Sequence, residues 1–279
     1  MTRTIIYGAT DTGKSIYNKV KDQNEIILFV DDDPRKWGDT YEGISVEDPR
    51  KIIEMDYDKV IIGVLTYRQE ILDRLHTLGI PDYKIDQTFV LLPSMARIKC
   101  IEAFRIVAEE ENIGGNVAEL GVFRGEFAAE LNRVFSDRIL YLFDTFEGFD
   151  SKDTAVELSK SYSKEDKKGY FSNTSVEYVL SQMVYPEKCV IRQGYFPHTT
   201  EGVNDTFCFV NLDADLYQPT VEGLRFFYPR METGGMILVH DFFSKAFLGV
   251  KDAVREFCAE EGVTYIPIGD TLSVAIRKM

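Results

Sequence analysis

The sequence predicts an α/β protein built as two Rossmann-like units in series, a small one over residues 1–92 and a larger one over 93–279 with helices on both faces of its sheet. Two observations carry this. The succession strand, glycine turn, helix, strand, acid occurs twice, and in each copy the acid stands 23 residues after the first turn glycine, Gly8 to Asp31 and Gly121 to Asp144. In the second unit two further apolar strands also end on polar residues, Asp213 and Asp215 after one, His240 and Asp241 after the other.

In the first unit, the strand Thr4 to Tyr7 enters GATDTGKS (Gly8 to Ser15), which matches the phosphate-loop pattern GxxxxGK[ST] with Lys14 and Ser15 in the phosphate and metal positions. A kinase or NTPase on this loop is therefore one reading. Against it, the next strand, Glu25 to Val30, follows almost at once and ends on Asp31, the Rossmann rhythm, and the roughly 90 residues available are few for an NTPase core. Thr10 stands where a dinucleotide fingerprint wants its second glycine, which disfavours NAD. Residues 32–46 read as a turn-rich link carrying the sole tryptophan, Trp37. Lys59 to Val64 reads as a third strand, and Tyr67 to Leu78 as a helix stopped by Gly79. With YGAxxxG, FVDDDP and KWG, this unit resembles the small nucleotide- or sugar-nucleotide-binding modules that precede bacterial polysaccharide-modifying enzymes.

Pro93-Ser94 marks the expected boundary, with Ser94 capping a helix to about Glu111 whose Ile98, Ile101, Phe104 and Ala108 recur at near-helical spacing. Val117 to Val122 is then a strand, the segment bearing Phe127, Leu131 and Val134 a helix, and Ile139 to Phe143 a strand ending on Asp144. Residues 150–174 are polar, with Tyr162, Tyr170 and Phe171 interleaved, and read as a connection or a lid. Cys189 to Ile191 is a short strand leading to Gly194 and Tyr195. Phe207 to Leu212 is wholly apolar but for Asn211. Pro219 opens the following helix and Pro229 stops it. Gly234-Gly235 turns into the strand Met236 to Val239; a helix over 249–260 and strands over 264–268 and 272–276 complete the chain.

Hydrophobic residues make up 44% and charged residues 28%, ordinary for a core-forming protein, while the net charge of −14 excludes nucleic acid and anionic membrane as natural partners. Cys100, Cys189, Cys208 and Cys258 form no CxxC pair, and there is neither a leader pattern nor a run of 18 apolar residues, so the expectation is a cytoplasmic protein. Homo-oligomerisation is left open.

Open α/β sheets present ligands at the carboxyl ends of their strands. There the second unit gathers Glu119, Asp144, Asp213, Asp215, His240 and Asp241, with Gly121 and Gly125 in the turn. Asp144 is placed to accept a ribose diol. Two acids beside the turn repel pyrophosphate and suit a ligand with a ribose and a positive charge, as in S-adenosylmethionine. A divalent metal on Asp213 and Asp241 would relieve the crowding of acids. Asp213 and Asp215, two apart, both reach the rim only if the backbone turns between them.

AELGVFRG, FDTFEGF, NLDADLYQPT, FYPRM, GG and HDFF, spread from Ala96 to Lys278, resemble the macrocin-type (TylF/MycF) sugar O-methyltransferases. The resemblance implies a class I S-adenosylmethionine-dependent methyltransferase sheet and, as acceptor, a hydroxyl of a sugar or glycosylated small molecule. By position it makes Asp213 and Asp241 metal ligands and Asp215 the general base, with Glu119, Gly121, Gly125, Asp144, Thr145, Gly194 and Tyr195 around the cofactor. His240 stands where the family usually has aspartate, which leaves magnesium and a transition metal both open. A non-catalytic binding protein with a decayed metal site is the remaining alternative.

Overall fold

The computed structural model describes residues 1–64 and 67–279. The chain divides into two compact units, Met1–Met95 and Ala96–Met279.

In the first unit the elements are β1 (Thr2–Tyr7), α1 (Asp11–Val20), β2 (Asn24–Val30), β3 (Thr40–Tyr41), β4 (Ile44–Glu47), β5 (Lys59–Ile62), α2 (Arg68–Thr77) and β6 (Ile85–Asp86). The sheet runs β3-β4-β2-β1-β5-β6, parallel except for the β3–β4 pair. Alternate residues of β1 explain the two-sided core: Ile5 and Tyr7 pack on one face with Leu72 and Leu75 of α2, Ile6 on the other with Ile16 and Val20 of α1.

The phosphate-loop reading fails here for a local reason. α1 begins at Asp11, so residues that would have to wrap a phosphate are already helical. Thr10 caps the helix and takes the Gly13 N–H at 3.1 Å. A Cβ on Gly13 would fall 1.9 Å from the Gly8 carbonyl oxygen, so this glycine lets the helix seat on the end of β1. The Lys14 ammonium lies over the Tyr41 ring, 5.3 Å from its centre.

The helix α3 (Thr88–Glu110) runs through Pro93, so the expected break and the Ser94 cap are corrected. Proline at this point removes one backbone donor, and the remaining turns carry the helix across it. The second unit continues with β7 (Asn116–Leu120), α4 (Glu126–Val134), β8 (Leu140–Asp144), α5 (Ser151–Ser159), α6 (Val176–Gln182), β9 (Cys189–Gln193), β10 (Phe207–Leu212), α7 (Tyr217–Phe227), β11 (Met231–Val239), α8 (Leu248–Glu261), β12 (Ile266–Pro267) and β13 (Val274–Arg277). Residues 150–174 thus contain a helix, α5, where only a connection was expected. Its buried positions are Asp153, Thr154 and Glu157, so no apolar stripe betrays it.

The larger sheet has the order β12-β13-β11-β10-β7-β8-β9, with β13 antiparallel to both of its neighbours. Val117, Cys208 and Phe209 pack with Ile101 and Phe104 of α3 and Leu131 of α4. Ala118, Val210 and Leu212 pack on the opposite face with Leu224 and Phe227 of α7 and Val254 and Phe257 of α8. Helices therefore cover both faces, and the chain reverses its direction of travel between β7 and β10. At that switch point the carboxyl ends of β7, β8, β10 and β11 lie side by side, the place where open α/β sheets form their ligand crevice.

Candidate active site

One side of the crevice is built around Asp144 at the end of β8. Its Oδ2 accepts the Val122 and Phe123 N–H groups at 2.7 and 2.8 Å, and its Oδ1 accepts the Phe146 N–H at 2.7 Å. The carboxylate thereby fixes the glycine turn after β7 and its own following turn. Asp31 in the first unit repeats the device, accepting from Ala9 N and Asp33 N. A ribose would meet a carboxylate already committed to three backbone donors, with room for about one more of its roughly four acceptor directions.

Gly121 has φ +85°, and a Cβ there would lie 2.1 Å from the Asp213 carbonyl oxygen. Gly125, at φ +79°, faces Val179 and Met183 of the α6 region. At both glycines the missing side chain makes room for other parts of the protein. Thr145 donates to Gly148 O at 2.7 Å and holds the turn after β8. Gly194 N donates to Asp144 O at 2.9 Å, and the Tyr195 hydroxyl donates to Asp153 Oδ1 at 2.8 Å. His198 sets its ring edge-on to Tyr195. His76, on α2, meets Asp82.

Glu119 is 1% exposed. Its Oε1 accepts from Asn211 Nδ2 at 2.7 Å, while Oε2 has no hydrogen-bond partner among the described residues. Burial, reinforced by the charge of Asp213, raises its pKa to about 8. Its surroundings thus disfavour a fixed negative charge on this carboxyl.

On the other side lie the acids after β10 and β11. Asp213 Oδ1 is 3.0 Å from His240 Nδ1, which is 2.7 Å from Asp241 Oδ2. The backbone does turn after Asp213: Asp215 has φ +60° and its carboxyl comes within hydrogen-bonding reach of Asp241. Burial and then the charges of Asp241 and Asp213 push the Asp215 pKa well up. Burial and Arg97 oppose a charged His240, but Asp213 and Asp241 outweigh them and raise it to about 9. Phe123, Phe146, Asp215 and Asp241 all take left-handed backbone, a strain that concentrates at functional sites.

Sequence reasoning missed Arg97. From α3 its Nη2 donates to Asn211 Oδ1 at 3.1 Å and Asp213 Oδ2 at 3.0 Å, and its guanidinium stacks 4.1 Å above the Phe127 ring. A cation does sit among the acids, and it belongs to the protein. The signal was there: 97, 101, 104 and 108 fall on one helical stripe, so an arginine lies in line with the core positions.

One donor each from Asp213, His240 and Asp241 fall within 4.8 Å of one another. A six-coordinate cation with bonds near 2.1 Å spaces adjacent donors about 3 Å apart. The separations of 3.0 and 2.7 Å fit such an ion, provided the His240 ring gives up its proton.

The sheet order, the turn held by Asp144 and the crevice at the switch point define a class I S-adenosylmethionine-dependent methyltransferase fold, preceded by a small α/β unit. Residues 87–278 match the macrocin O-methyltransferase (TylF) family model, and the chain belongs to that family: it is an S-adenosylmethionine-dependent O-methyltransferase. Residues 1–86 match the C2185-like N-terminal family. Among characterised relatives, the demethyldecarbamoylnovobiocin O-methyltransferase of Streptomyces niveus is 26% identical over 60% of this chain and 68% of its own length. The 8-demethyl-8-(2,3-dimethoxy-alpha-L-rhamnosyl)-tetracenomycin-C 4'-O-methyltransferase of Streptomyces olivaceus is 23% identical over 78% and 88%. The solved structure of the O-methyltransferase NovP, 21% identical, superposes with a TM-score of 0.54 over 74% of this chain and 88% of its own, and shares the fold. No helix among the described residues is long and apolar enough to cross a membrane.

Proposed function

We propose that the chain methylates a hydroxyl of a sugar or glycosylated small molecule, with a divalent cation on Asp213, His240 and Asp241 and Asp215 as general base. The carrying observation is the placement of Asp215, turned by its left-handed backbone toward Asp241 at the edge of the three-donor cluster. The name of one relative, which methylates a rhamnosyl-bearing tetracenomycin, supports the acceptor class. The small unit at residues 1–92 is read as a module apart from the chemistry, and 93–279 as the methyltransferase.

S-adenosylmethionine, when bound, supplies a methyl group already activated by its sulfonium. A divalent cation, when bound, supplies positive charge that makes an adjacent hydroxyl more acidic. The protein's part is then alignment and proton removal. Asp144 holds the glycine turn against which the cofactor would lie, and Thr145, Gly194 and Tyr195 shape the neighbouring strand ends. Glu119 Oε2, without a hydrogen-bond partner among the described residues, would be available to the cofactor's positive end. Asp213, His240 and Asp241 would hold the cation, and Asp215 would take the acceptor's proton at its carboxylate. Burial raises the proton affinity of Asp215 above that of an exposed carboxylate, the direction a proton acceptor needs.

Calorimetric titration of manganese and magnesium into wild type, Asp215→Asn and His240→Asp tests this. Asp215→Asn should keep the metal and lose turnover. His240→Asp should move preference from manganese toward magnesium, because imidazole favours transition metals and a carboxylate does not. Equal affinities for both metals in wild type and His240→Asp would remove His240 from the donor set.

A further inference from the structure

We propose that Glu157, a buried acid outside the reacting cluster, is a positioning residue that fixes Asp215 by capping helix α7 from another helix; this rests on the reading of Asp215 as base. α7 starts at Tyr217, two residues after Asp215, and its cap position is Leu216, whose side chain cannot accept a hydrogen bond. The first N–H of α7 would be an orphan donor in the interior. Glu157 of α5, 3% exposed, answers it: Oε1 accepts from Tyr217 N at 2.8 Å. A carboxylate at a helix N-terminus is also favoured by the helix dipole, which offsets part of the cost of burying it.

Asp215 needs such an anchor. Leu216 N donates to Ala214 O at 2.6 Å across Asp215, and a non-glycine residue at φ +60° persists where contacts beyond that turn hold it too. Upstream, Asp213 N donates to Leu120 O at 2.8 Å and locks the chain to β7. Downstream, the Glu157–Tyr217 bond plays the matching part, and the Thr220 hydroxyl holds Leu216 O at 2.7 Å. The cap packs closely against α8, since a Cβ on Gly249 would lie 2.7 Å from Glu157 Oε1 and 2.8 Å from Tyr217 Cβ. One turn earlier on α5, Asp153 accepts from the Tyr195 hydroxyl, so the helix ties the turn after β9 to the turn after β10.

Three variants test this: Glu157→Leu, which removes the acceptor; Glu157→Gln, which keeps an acceptor oxygen without charge; and Gly249→Ala, whose added Cβ crowds both the Glu157 carboxylate and Tyr217 and so strains the cap from both sides. With S-adenosylmethionine and p-nitrophenyl glycosides as acceptors, Glu157→Leu and Gly249→Ala should lower kcat at least tenfold. The KM for S-adenosylmethionine should change less than about threefold, and Glu157→Gln should stay within about threefold of wild type. Crystal structures supply a readout free of turnover: Asp215 should leave the left-handed region in Glu157→Leu and keep it in Glu157→Gln. Should Glu157→Leu fail to fold, the other two variants carry the test. An unchanged kcat and backbone in Glu157→Leu or Gly249→Ala, or a Glu157→Gln as impaired as Glu157→Leu, overturns the proposal. If wild type transfers no methyl group while Asp215 still moves, the anchor stands and the functional reading falls.

Discussion

Replacing Asp144 by alanine tests how the cofactor half of the site is built. Three backbone N–H groups, of Val122, Phe123 and Phe146, point at this carboxylate at 2.7–2.8 Å. Hydrogen bonds to a charged acceptor contribute about 1.5–3 kcal/mol each. Asp144 is only half-buried, and water would replace part of what is lost, so the expected destabilisation is about 2–3 kcal/mol rather than the full sum. The larger effect falls on the ligand. Without the carboxylate the turn at 121–125 loses its anchor and the ribose loses its acceptor. Affinity for S-adenosylhomocysteine should then drop more than tenfold, at least about 1.4 kcal/mol. Asp144→Asn should fall between, because the amide keeps one oxygen but turns an NH₂ toward backbone donors. Calorimetry on folded protein, with thermal unfolding as the control, gives both numbers. Unchanged affinity in a folded Asp144→Ala protein would refute the reasoning.

Gly121→Ala should destabilise by about 3 kcal/mol or more, since its Cβ would meet the Asp213 carbonyl oxygen at 2.1 Å in a left-handed backbone; an unshifted melting temperature contradicts the close approach. Asp153 carries a pH signature. Burial raises its pKa from 3.8 to about 6 in the folded protein, so ionising it costs more folded than unfolded. Its contribution is neutral below about pH 4, falls by about 2–3 kcal/mol as pH rises to 6, and is flat above. Asp153→Asn should therefore gain stability relative to wild type at pH 7 but not at pH 4, in denaturant titrations at the two pH values; an equal difference at both would show that Asp153 titrates normally.

Much of the site was legible because strand ends announce themselves: an apolar run stops on a charge, and the sheet collects those stops on one rim. That placed Glu119, Asp144, Asp213, Asp215, His240 and Asp241 together. What escaped was held by polar contacts that periodicity does not register. α5 buries Asp153, Thr154 and Glu157 instead of a leucine stripe, so it looked like a solvated connection. Arg97 was hidden by its residue type, although its position lay on the core stripe of α3. The loop GATDTGKS satisfies a motif by its letters. Its backbone contradicts it, because the Thr10 cap starts the helix three residues too soon for a phosphate cradle. Pro93 punctuates the sequence without ending the helix it lies in.

The central claim is cation-assisted methyl transfer to a sugar hydroxyl, and the most direct measurement of it follows labelled methyl from S-adenosylmethionine into a panel of glycosides, with and without excess chelator. The account predicts transfer that chelator abolishes, that manganese restores, and that Asp215→Asn lacks under either condition. Full transfer in the presence of chelator would contradict it and leave Asp215 to act beside a site with no cation in it.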